Sequence, residues 1–235
     1  MCSRYALISD AATIRRLFQP SNDVDLEPRY NIAPTQQVPV IRCRPDATGD
    51  ADREIVLLRW GFLPAWLKVP PKEPPAAETA SETAAANPMF RAALAKRRCL
   101  LPADAFYEWR KAKGGKQPWL FRMKDHAPFA FAGIWESWTP PRAAGVSGSG
   151  TDGDTIESCA LFTTEANGVV TPVADRMPAI LPADLYGDWL APGTTAEQAA
   201  AMLRPYPSVK MQGHKVSPQI NSIKHEGAAL IEAVT

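Results

Sequence analysis

A cysteine follows the initiator methionine directly, and Cys2 is small enough to permit removal of that methionine. The new N-terminus would carry a thiol and an α-amine on one residue, a 1,2-aminothiol. Such an amine, with an ordinary pKa of about 7.7–8.0, is substantially unprotonated near neutral pH and attacks aldehydes to give a Schiff base. The neighbouring thiol then closes a five-membered thiazolidine. While Met1 remains, the Cys2 nitrogen is an amide and this route is closed. Proteins also begin Met-Cys without chemical consequence, so the rest of the chain must decide.

Cys43, Cys99 and Cys159 lie in apolar, strand-like stretches and read as small buried thiols. The chain has no CxxC spacing, no HExxH pair and only three histidines, His126, His214 and His225. Neither a metal site nor a disulfide framework is expected, and no cofactor is called for. Lys plus Arg total 26 against 25 Asp plus Glu, so with a net charge of +1 any attraction to a polyanion must come from a local patch. The longest apolar runs, such as residues 55–58 (IVLL), fall far short of the roughly 20 needed to span a bilayer. The N-terminus also lacks the apolar stretch of a signal peptide. The expectation is a cytoplasmic protein away from membranes, and a monomer.

Positioning elements can be read from periodicity. Residues 10–18 place Ile14, Leu17 and Phe18 on one helical face behind an Asp10 cap; residues 87–97 repeat the signal with Asn87 as cap and Pro88 in the first turn. Strand-like stretches recur at 38–43, 55–60, 104–109, 118–123, 128–134 and 156–163, and further helices are expected at 182–190 and 195–204. The pattern predicts one α+β domain over 1–235, with a largely antiparallel sheet and short helices. Residues 68–86 (Pro, Ala and acid rich) and 140–154 (Gly and Ser rich) read as surface loops. Twenty-three prolines, against a usual share of about 5%, suit many rigid connections between short strands.

Several blocks stand in one order along the chain: MCSRY at 1–5, RYNIAPTQ at 29–36, RWGFLPAW at 59–66, SET at 81–83 and NPMFR at 87–91. RCLLPADAFYEW at 98–109, ADRMPAIL at 174–181 and VSPQIN at 216–221 follow. Together they resemble the SOS response-associated peptidase (SRAP) family over essentially the whole chain. The resemblance implies a barrel-like antiparallel sheet flanked by short helices. It also implies covalent capture of abasic sites in single-stranded DNA through the N-terminal cysteine, after self-processing of the N-terminus. Glu108 matches the family's active-site glutamate, and both sugar ring-opening and carbinolamine dehydration need proton transfers. Taken alone, Glu108 also reads as a carboxylate on the solvated face of a strand. Arg4 matches an arginine beside the nucleophile, suited to a phosphate and to lowering the amine pKa. Asn31, Pro34, Trp66 and Arg176 match DNA-binding positions, Trp66 as a ring on which a base can stack. For Trp60, Trp109, Trp119, Trp135, Trp138 and Trp189, core packing is expected.

Three positions depart from the pattern. The family's Asn and Arg ahead of the Glu-Thr pair are here Glu78 and Ala80, and the His before Asp-Arg-Met-Pro is Ala174. Together the first two changes shift the local charge by about two units against a phosphate, and the third removes an acid–base group. Two other readings therefore stand beside covalent capture: a non-covalent single-strand binder with a degenerate site, and a thiol peptidase. The peptidase reading lacks an evident base.

Overall fold

The computed structural model describes residues 3–44, 52–69, 75–140 and 155–234; Cys2 lies outside them, as do positions 141–154 of the second expected loop. The chain order is β1 (Tyr5–Leu7), α1 (Ala11–Phe18), β2 (Arg29–Ile32), β3 (Gln37–Cys43), β4 (Arg53–Trp60), β5 (Glu78–Ala80) and α2 (Ser81–Ala84). It continues with α3 (Arg91–Lys96), β6 (Arg98–Ala103), β7 (Ala105–Ala112), β8 (Gly115–Met123), β9 (Phe129–Trp138) and β10 (Ile156–Glu165). The last elements are β11 (Arg176–Pro178), β12 (Ile180–Leu181), α4 (Tyr186–Leu190), α5 (Ala196–Met202) and β13 (Met211–Lys215).

Strands β10, β4, β3, β6 and β9 close on themselves, because β9 pairs with β10 as well as with β6. The result is a five-stranded barrel with β5, β11 and β12 attached to it. Closure leaves these five strands without a free edge. Pairing is antiparallel except where β10 meets β4 and β5. Gly133 sits where the barrel wall is tightest: a Cβ there would collide with the Leu101 side chain and stand 3.0 Å from the Ala160 carbonyl oxygen. Inside, Tyr5 packs edge-on against Trp60 and Phe131, with ring centroids 5.2 and 5.6 Å away. A second sheet, in the order β13-β8-β7-β1-β2, carries a smaller core of Ala6, Ala105, Tyr107, Leu120, Val216, Ile220 and Leu230. The C-terminal segment thus covers one face of that sheet.

Most expected elements form. The Asp10 side chain accepts from the Thr13 N–H and caps α1, whose Ile14 and Phe18 are buried. Thr195 and Gln198 make a reciprocal capping box at α5. Helix α3 starts at Arg91 rather than at 88, because Asn87 spends its side-chain oxygen on a turn with Met89 N–H. Two differences are larger. Residues 98–103, read from the sequence only as a strand-like stretch around Cys99, form the strand β6: all six residues are buried, so no period-two alternation marks them. Residues 68–86 are not wholly loop, since 78–84 form β5, paired with β10, and α2. Among the described residues no helix is long and apolar enough to cross a membrane.

Candidate active site

A cleft of about 930 Å³ opens between the start of the chain, the β7–β8 hairpin and the turn at 171–175. Strand β7 positions its chemistry. Tyr5 pairs with Phe106 and Ala6 with Ala105, and the Tyr107 N–H donates to the Arg4 carbonyl at 3.1 Å. Ser3, Arg4 and Glu108 therefore share one wall of the cleft. The residue following Cys2 and the expected carboxylate are brought together, although Cys2 itself is outside the described residues.

Glu108 is only 3% exposed. Burial pushes its carboxyl up to about 7, and the Glu78 carboxylate adds to the rise. It is thus poised to hold or release a proton at neutral pH. Arg4, half-buried, donates to the Ser3 carbonyl at 2.8 Å, and desolvation lowers its pKa. Ala174 lines the same cleft and presents no acid–base group. Glu78 lies half-buried at the start of β5, and Ala80 ends that strand and leads into α2. Among the described residues no group of three His, Cys, Asp or Glu side chains could hold a metal ion.

The other expected site residues do not line the cleft. The buried Asn31 donates from Nδ2 to the Ser222 and His225 carbonyls at 2.9 and 3.0 Å, tying β2 to the C-terminal segment. Pro34 lies in the turn between β2 and β3. Trp66 is 63% exposed beyond β4. The Arg176 guanidinium is engaged by Glu82, at 2.8 Å to Oε2, and by the Thr163 carbonyl at 2.7 Å. Strand β11 so presents an occupied cation.

Other cleft residues were not singled out from the sequence. Trp109, expected in the core, packs half-buried against the smaller core and also lines the cleft, its indole N–H donating to Asn221 Oδ1 at 2.7 Å. Trp119 is also only half-buried, whereas Trp60, Trp135, Trp138 and Trp189 are core residues. Arg110, Lys111 and Lys116 complete the rim. The cation cluster KAKGGK at 111–116 was the visible signal. Only strand pairing reveals that its Lys111 and Lys116 border the cleft that Glu108 lines.

A family model described as SOS response associated peptidase (SRAP) matches residues 1–223. The chain belongs to the SRAP family. A curated relative, abasic site processing protein YoqW of Bacillus subtilis, is 31% identical over 99% of this chain and 100% of its own length. Abasic site processing protein HMCES of Gallus gallus is 28% identical over 96% of this chain and 76% of its own. A solved protein from Bacteroides thetaiotaomicron shares the fold at a TM-score of 0.82 and 20% identity, each chain fully covered. A second, from Bordetella bronchiseptica, aligns at a TM-score of 0.74 and 28% identity over 92% of this chain. Within this SRAP chain, Glu108, Arg4 and Ala174 line the cleft.

Proposed function

We propose that this SRAP protein processes abasic sites in DNA, as its relatives' names state of them, by capturing the open-chain aldehyde in single-stranded DNA at Cys2. The observation that carries this reading is Glu108, a buried carboxyl with a pKa raised to about 7 on the same cleft wall as Ser3. After Met1 is removed, the Cys2 amine adds to the aldehyde carbon and forms a carbinolamine. Protonated Glu108 donates to the departing hydroxyl, water leaves and a Schiff base forms. The thiol sulfur then adds to the imine carbon, its proton passing to the nitrogen, and the thiazolidine closes. Overall, one water is lost. Arg4 at the mouth favours the unprotonated amine and suits a phosphate.

A non-covalent binder with the same fold is the second reading, favoured by Ala174, which leaves the cleft without the family's imidazole. One experiment separates them. Matured protein is incubated at low salt with an abasic single-stranded oligonucleotide, with Cys2→Ala in parallel, and resolved on a denaturing gel. Capture predicts a conjugate that Cys2→Ala abolishes. Binding by both proteins with no conjugate overturns it.

A further inference from the structure

Two cations that the family pattern supplies to a strand are missing or engaged here: position 80 is Ala, and the Arg176 guanidinium is held by Glu82 and Thr163. The β7–β8 hairpin has the opposite property. Its register places Lys111 directly opposite Lys116, with Ala112 opposite Gly115 closing the turn. Like charges directly across an antiparallel pair are unfavourable. Lys113 adds a third charge at the exposed tip. Among the described residues no ion pair involves Arg110, Lys111, Lys113 or Lys116. The hairpin thus holds mutual repulsion that an external anion would relieve.

Its geometry suits an extended polyanion. Gly114 and Gly115 have φ of +90° and +150°, and a Cβ on either would meet nothing within 4 Å, so the tip stands clear of the body. Arg110 lies with its guanidinium 5.4 Å from the Trp119 ring centroid, which orders it at the rim. Alternation along β7 puts Trp109 and Lys111 on the face opposite Glu108, and all three border the same cleft. A cationic edge leading to an aromatic ring is the arrangement by which proteins hold single-stranded nucleic acid: charges follow the phosphates and rings accept bases. An acidic peptide would use the charges and leave the indole idle.

We infer that the β7–β8 hairpin, through Lys111 and Lys116, is a phosphate rail for the single strand leaving the cleft, replacing cations lost elsewhere. The inference rests on the reading that this cleft receives single-stranded DNA, yet it is tested without the covalent step. An undamaged, labelled oligothymidylate carries no aldehyde, and its binding is followed by fluorescence anisotropy across a salt series. Lys111→Gln with Lys116→Gln should weaken binding of order 10- to 100-fold near ~50 mM salt. It should also flatten the slope of log affinity against log salt by about 1.4, each single-strand phosphate contributing about 0.7. Lys111→Arg with Lys116→Arg should restore both. Unchanged affinity and slope in the Gln variant would overturn the rail, as would a loss shared by the Arg variant. If the wild type forms no conjugate with abasic DNA while the lysine dependence holds, capture fails and the rail stands.

Discussion

Replacing Glu108 by Gln removes the proton donor while keeping the shape of the side chain, and its consequences follow from the raised pKa. The folded carboxyl titrates at about 7, against 4.5 for an ordinary glutamate. Because the folded value is raised, the protonated form is the one burial tolerates. The wild type pays no ionisation cost below pH ~4.5, and loses stability progressively as pH rises from there through 7. The gap corresponds to about 3 kcal/mol, from roughly 1.36 kcal/mol per unit. Urea titrations at pH 4 and pH 8 should therefore show Glu108→Gln gaining about 3 kcal/mol on the wild type between them. Capture should move the other way. Wild-type Glu108 is roughly nine-tenths protonated at pH 6 and one-tenth at pH 8, while the free amine rises over the same range. The single-turnover rate of conjugate formation should thus be bell-shaped, with its maximum between about 7 and 8. Glu108→Gln should lose the alkaline limb and slow capture by roughly 10²–10⁴. A variant that keeps the falling limb, or whose stability difference is flat with pH, would refute the assignment of Glu108 as the acid.

Further tests address the frame around the cleft. The buried Arg98 donates to the carbonyls of Leu94, Ala95, Trp189 and Ala191, binding α3 and α4 to β6. Arg98→Met strands these acceptors and should cost at least about 3 kcal/mol in urea unfolding. Ala174→His places an imidazole in the cleft lining and should speed capture or release by roughly 10²-fold, read by gel time courses. Glu82→Gln removes the carboxylate paired with the half-buried Arg176 guanidinium, which Thr163 still holds. It should change stability by no more than about 1 kcal/mol and tighten oligothymidylate binding at low salt, with a steeper salt slope.

Much of this was legible in the sequence because local signals and long-range structure agreed. Asp10 caps the helix it was expected to cap, and six strand stretches appear with ends shifted by a few residues. The sequence blocks mark Glu108 and Arg4, and strand pairing brings both to one cleft. What escaped depends on contacts distant in sequence. Strand β6 is buried on both faces and carries no alternation. Barrel closure needs β9 to meet β10 and β6 together, which no local pattern encodes. Trp109 packs on the smaller core as expected, but only its partner Asn221, 112 residues away, reveals that it also lines the cleft. Arg176 looked available until Glu82 folded against it.

Capture at Cys2 is most directly tested by intact mass spectrometry of protein matured in cells containing methionine aminopeptidase, incubated with an abasic single-stranded oligonucleotide. The prediction is a protein lacking Met1 whose adduct equals protein plus oligonucleotide less one water, absent in Cys2→Ala. Protein that has lost Met1 and remains unmodified at low salt would contradict it.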